Sequence, residues 1–309
     1  MKRFFASFLF LLFVLATFEG AFAQAPPVRV PRPSQKATVM QTIGVSDVTI
    51  IYSRPSVKGR KIWGEPWAGE GEATLDNQNT RPKDAPIVPY NRVWRAGANE
   101  ATQFIISDDV SINGQPLKAG TYSLHMVPGH DEWTIVFNND AGQWGSFTYD
   151  AKKDALRVKA KPEMVADSQE TLEYTFDPVT DNTAQVNIRW EKVRVPFTVS
   201  IKDVNALAFE KARAAVAAAK PDDFQTPLQA ARFAIQNKNA DEGMKWLEQS
   251  IKAKPTFGNL SAKANLLWAN GRKEEALAVA GQAIERGKAD KVDTAGFEKR
   301  VADMKAGKL

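Results

Sequence analysis

No cysteine occurs anywhere in the 309 residues. Disulfides, thiolate metal sites, a cysteine nucleophile and a lipid-modified cysteine anchor are therefore excluded, and packing alone has to hold the fold. Histidine is nearly as scarce, with His125 and His130 the only two. His130-Asp131-Glu132 lacks the i, i+4 spacing of a helical zinc pair, so no metal site is assigned. His125 sits among Tyr122, Leu124 and Met126 of an alternating strand and is expected to face solvent or a groove. G-x-S-x-G, phosphate-loop and dinucleotide fingerprints are all missing, so no cofactor and no catalytic residue is assigned. Charge of one sign is also lacking: 41 basic against 36 acidic residues give +5, too little for a phosphate-neutralising surface, and nucleic acid is excluded as a partner.

Long apolar runs are confined to the start. Lys2 and Arg3 precede Phe4 to Phe18, which is interrupted only by Ser7 and Thr17, and Ala21-Phe22-Ala23 follows. This is the pattern of a cleaved signal peptide over residues 1–23, with cleavage between Ala23 and Gln24. The run is short for a span of about 20 residues, so the mature protein is expected to be secreted or periplasmic, with no membrane span. Gln24 to Pro33, with four prolines, reads as an extended leader.

What remains has two textures. From residue 34 to 202, short runs alternate with a period of two, as in Val186, Ile188, Trp190 and in Val195, Phe197, Val199, Ile201. Asn113-Gly114, Ala119-Gly120, Pro128-Gly129 and Asn139-Asp140 supply turns. Nine or ten short strands without intervening helices predict an antiparallel β-sandwich, with Trp133, Trp144 and Trp190 in its core. Gly64 to Pro89 breaks the rhythm with Gly, Pro and the acids Glu65, Glu70, Glu72 and Asp76, and reads as an inserted surface loop.

From Asp203 to Leu309 the chain is alanine-rich with a period near 3.6, predicting an all-α region of six helices. Thr226 before Pro227 and Asp293 read as helix caps. The layout is thus α+β and multidomain.

Two clusters carry the candidate chemistry. Tyr52 to Gly64 holds Arg54, Lys58, Arg60, Lys61 and Trp63 without an acid, a set suited to carboxylate, sulfate or phosphate. The competing reading pairs Arg54, Arg60 and Lys61 with the acids of the neighbouring loop. Val93 to Thr102 contributes Trp94, Arg95, Asn99 and Glu100, which suit a sugar face and its hydroxyls. Alternatively, Trp94 is core and Arg95 pairs internally with Glu100. Because both clusters flank one loop, they are expected to form one binding end.

The strings Ser53-Arg54-Pro55, Lys58-Gly59-Arg60, Trp63-Gly64, Val88-Pro89-Tyr90, Val93-Trp94-Arg95 and Gly97-Ala98-Asn99-Glu100-Ala101-Thr102 resemble the secreted domain-of-unknown-function family 2911. Asn113-Gly114, Ala119-Gly120-Thr121-Tyr122-Ser123-Leu124 and Gln143-Trp144-Gly145 extend that resemblance, which runs from about residue 31 to 201. The family has no established catalytic residues, and the Gly64–Ile87 stretch departs from its usual pattern.

Further on, Ala240-Asp241-Glu242-Gly243 aligns with Lys273-Glu274-Glu275-Ala276 at a period of 33. The alignment also pairs Ala231 with Ala264, Ala234 with Leu267, Leu247 with Ala280 and Ser250 with Ala283, and the region resembles a degenerate tetratricopeptide repeat. That resemblance implies a protein partner docking through residues 226–287; a helical brace for the sheets is the alternative.

The sequence thus predicts a non-catalytic, exported protein with an anionic or glycan ligand on its β-sandwich. Two rival readings stand. One is a hydrolase of glycan or cell-envelope material using Glu100 or a nearby Asp, with Arg95 and Asn99 positioning substrate. The other is an assembly factor working through the helices.

Overall fold

A computed structural model describes residues 30–66 and 82–309. The signal-type segment, most of the proline-rich leader, and Glu70, Glu72 and Asp76 of the inserted stretch lie outside those residues. Val30 to Pro33 are exposed and lack regular structure. Ser34 to Leu309 forms one compact unit.

Among the described residues, ten strands build two antiparallel sheets. The first is ordered β1 (Gln35–Ile43), β2 (Ser46–Arg54), β5 (Thr102–Ile106), β8 (Gly120–Val127), β9 (Trp133–Asn138) and β10 (Asp154–Ala160). The second is ordered β11 (Glu163–Val179), β12 (Thr183–Ser200), β6 (Val110–Ile112) and β7 (Gln115–Leu117). β3 (Trp63–Gly64) and β4 (Val88–Pro89) pair in parallel and close the base of the inserted stretch, an exception to the antiparallel expectation.

The alternating residues do what their period requires. Ile50, Phe104, Leu124, Ile135 and Phe137 of the first sheet join Val186, Ile188, Phe197 and Val199 of the second in a single buried core. Phe104 and Phe197 meet across it at 6.1 Å.

Three expectations are corrected. Val186–Trp190 and Val195–Val199 are not separate short strands but parts of the 18-residue β12, which Ile201 directly follows. Trp144 is 55 % exposed rather than core, whereas Trp133 and Trp190 are 2 % and 1 % exposed. His125 is fully buried instead of facing solvent or a groove.

Six helices follow: α1 (Val204–Ala218), α2 (Gln225–Gln236), α3 (Ala240–Ala253), α4 (Phe257–Ala269), α5 (Lys273–Ala289) and α6 (Ala295–Lys305). α2 starts two residues before Pro227, and it is Asp223, not Thr226, whose carboxylate accepts from the Gln225 and Thr226 N–H groups. Asp293 does accept from the Ala295 N–H at 2.9 Å. Positions 33 apart occupy like environments: Ala231 and Ala264, Leu247 and Ala280, and Ser250 and Ala283 are all fully buried.

α1 is joined to the sheets. Lys211 donates to the Val45 carbonyl at 2.8 Å and to Asp108 at 2.7 Å. Val204 and Leu207 pack on the β core.

Candidate functional site

The Val93–Thr102 segment is shaped by its own small residues. Trp94 exchanges two backbone hydrogen bonds with Met126 of β8, at 2.7 and 2.8 Å. The chain then turns sharply through Ala96, whose φ of 51° is left-handed. The buried Ala96 carbonyl accepts from the Thr102 hydroxyl and from the Tyr174 hydroxyl, each at 2.9 Å, which stabilises that conformation. The Trp94 indole N–H donates to the Gly97 carbonyl at 3.1 Å. A Cβ on Gly97 would lie 2.8 Å from Thr102 Oγ1 and 3.2 Å from the Ser53 carbonyl, so only glycine passes there. Asn99 donates to the Ser34 carbonyl at 3.0 Å.

The basic cluster is distributed more widely. Arg54 donates to the Leu172 carbonyl at 2.9 Å and lies 4.0 Å from Glu173, tying β2 to β11. Lys58 and Gly59 form an exposed left-handed turn, with φ of 48° and 66°. Arg60 folds back onto the Val57 carbonyl at 3.1 Å. Trp63 packs edge-on against Trp94 at 5.6 Å, Trp133 at 5.0 Å and Trp190 at 5.7 Å.

Between the clusters opens a cavity of about 300 Å³. Arg60, Lys83 and Arg95 line it together with Trp94, Trp190 and Ser146, and none of its described lining residues is acidic. Burial lowers the Arg95 guanidinium to about 10. Trp190 is 1 % exposed, and its indole N–H has no acceptor among the described residues. A donor in that state is costly unless a ligand or water oxygen satisfies it.

Of the eight sequence candidates, Arg60, Trp94 and Arg95 therefore meet at one cavity, with Trp63 packed edge-on against Trp94. Arg54 instead ties β2 to β11, Asn99 anchors the Ser34 carbonyl ahead of β1, and Lys58 lies in the exposed left-handed turn. Glu100 lines a separate recess of about 90 Å³ with Lys36. Trp94 is 5 % exposed, so it presents no open ring face. Lys83, Ser146 and Trp190 belong to the cavity and were not singled out as site residues; the one signal near Ser146 was its position after Gln143-Trp144-Gly145.

Behind Ser146 lies a buried polar network. The segment after β9 covers the outer face of the first sheet. Its Gln143 donates to the Asp140 carbonyl at 3.0 Å, and the Tyr149 ring sits 5.0 Å from the His125 ring. His125 Nε2 is 3.1 Å from Ser123 Oγ, and Nδ1 is 3.4 Å from Ser146 Oγ. Burial pushes the His125 imidazole down to about 4; Asp154 and Asp140 oppose the shift, whereas Arg95 adds to it. Tyr149 donates to Asp154 at 2.8 Å, and burial together with that carboxylate raises the phenol to about 12.

Among the described residues, no group of three or more potential metal ligands comes together, and no helix is long and apolar enough to cross a membrane. No curated protein and no solved structure matches the chain. A match does exist at the family level, over residues 34–199, and it takes in both sheets and every described residue lining the cavity. The chain accordingly belongs to DUF2911, a family described as protein of unknown function.

Proposed function

We propose that this is an exported binding protein that holds a small anionic organic ligand, through carboxylate or phosphate, in the cavity of its β-rich region. The carrying observation is the convergence of Arg60, Lys83 and Arg95 on one cavity without an acidic residue in its described lining. Guanidinium groups fork onto paired oxygens, and low local dielectric strengthens each charge-assisted bond. The unpartnered Trp190 N–H supplies a further donor. A neutral glycan is the less favoured occupant, because Trp94 offers no exposed face on which a sugar could stack.

In this reading residues 34–202 act as a β-sandwich, supported by the core the two sheets share. Residues 203–309 act as a short tetratricopeptide-like module for a protein partner, supported by the matched burial of positions 33 apart. Export to the periplasm or medium rests on the charged, apolar and small-residue pattern of residues 2–23.

Thermal denaturation with succinate, citrate, phosphate and sulfate tests the ligand class. A ligand at 100 times its Kd should add about 2.7 kcal/mol of stability. Arg95→Ala and Arg60→Ala are expected to abolish the shift while melting within a few degrees of wild type. A wild-type chain indifferent to every anion would refute this reading.

A further inference from the structure

We propose that Ser146 is a covalent nucleophile with His125 as its general base, and that the protein hydrolyses esters of small carboxylate-bearing acyl groups. The inference rests on the anion-binding reading of the cavity and assigns it a reaction. Ser146 lines the cavity, while His125 lies wholly behind the cavity wall. Their Oγ–Nδ1 distance is 3.4 Å, at the loose end of what unliganded nucleophile–base pairs show.

Nδ1 can accept the Ser146 proton only in the tautomer protonated at Nε2. Ser123 Oγ, 3.1 Å from Nε2, is placed to accept that N–H and hold the ring in register. The serine itself is set on a constrained turn. Gly145 takes a left-handed φ of 66°, and its N–H donates to the Asn99 carbonyl at 3.0 Å. A nucleophile, a base and a group that orients the base are thus arranged in sequence from the cavity into the buried polar network on the outer face of the first sheet, with the Arg95 cation lining the same cavity.

The step balances without a cofactor. Ser146 Oγ bonds to the ester carbonyl carbon as its proton passes to His125 Nδ1. The C–O bond to the alcohol then breaks, and the leaving alkoxide takes that proton. Water, deprotonated by the same nitrogen, attacks the acyl-serine carbonyl carbon; the acyl–Oγ bond breaks, Nδ1 returns the proton to Ser146 Oγ, and the carboxylic acid leaves. Arg95 gives the substrate preference a cause. Burial is the main reason His125 resists protonation, and the Arg95 charge adds to it. A substrate carboxylate on Arg95 cancels that repulsion, so an anionic substrate makes its own base stronger.

The test combines labelling, turnover and binding on the purified protein. A neutral alkyl fluorophosphonate should label one site, which peptide mapping places at Ser146. Mono-p-nitrophenyl succinate should be hydrolysed with a kcat/KM about 10-fold or more above p-nitrophenyl acetate. Ser146→Ala should lose the label and about 100-fold or more of the turnover, yet keep the thermal shift produced by succinate. His125→Gln should lower turnover similarly; if it fails to fold, the serine variant alone decides. A wild-type protein that succinate stabilises but that neither takes the label nor turns over the ester overturns this inference and leaves the binding reading standing. A wild-type protein that no anion stabilises and that hydrolyses neither ester overturns both.

Discussion

His125 shows how much a single buried side chain can impose. Its ring has no exposed surface, and its hydrogen-bond partners are hydroxyls that can accept or donate but carry no charge. Protonation would put a cation where only the more distant Asp154 and Asp140 compensate and where Arg95 repels. The folded chain therefore holds the imidazole neutral down to about pH 4, whereas the unfolded chain takes up the proton near its ordinary value of 6.5. Between those values the unfolded state binds more protons, so the contribution of His125 is complete above pH 6.5 and falls as pH drops toward 4. The loss amounts to about 3 kcal/mol across that window. Urea denaturation from pH 7 to pH 4.5 should show this decline in wild type, and His125→Gln should remove most of the slope. Equal slopes in the two proteins would refute the buried, neutral histidine.

At the scale of elements, what could be read in advance depended on whether periodicity ran uninterrupted. Val186, Ile188 and Trp190 face the core on even numbers; Val193, Val195, Phe197, Val199 and Ile201 face it on odd ones. The change of phase falls at Glu191, where φ is 54° and the pairing with β11 slips. A bulge lets one strand change face without ending, and periodicity alone registers it as two strands. His125 failed for another reason. It does point away from Leu124 and Met126, but the residues after β9 roof that side, and Trp144 lies on the outside of the roof. Half of the cavity was legible because Trp94, Arg95 and Arg60 sit in dense local motifs. Trp190 and Lys83 reach it only through strand register and chain return, which leave no local trace in composition.

The joint between sheets and helices yields a sharper expectation. Gly44 opens the turn between β1 and β2 with a left-handed φ of 60°, and a Cβ there would lie 2.3 Å from Val204 Cγ1 at the start of α1. Gly44→Ala combines a disfavoured backbone conformation with overpacking, for a cost of about 2–4 kcal/mol. Adding Val204→Ala should recover part of that loss, because it removes the atoms the new methyl meets. A double-mutant cycle by urea denaturation measures the coupling; strictly additive effects would mean that the two residues do not meet.

For the molecule as a whole, the distribution of buried apolar residues decides where it opens. Among the described residues, the core shared by the sheets contains 32 buried apolar residues, against eight in the cluster around Trp246 and four in the one formed by Ala264, Ala280, Val301 and Met304. Two of those last four are alanines, which contribute little area, so α5 and α6 are held chiefly by Val301, Met304 and partly buried neighbours such as Phe297 and Trp268. Opening free energy follows local burial, so these helices should exchange amide hydrogens well before β8, β9 or β12. Met304, 2 % exposed, is the sensitive point. Met304→Ala removes about 2–5 kcal/mol of packing where little else compensates. Hydrogen exchange followed by mass spectrometry should then show faster exchange over residues 273–305, unchanged protection over residues 120–138, and an anion-induced thermal shift still present. Protection lost uniformly along the chain would mean instead that sheets and helices unfold as one cooperative block, and that the helical region could not rearrange on a partner while the cavity stayed intact.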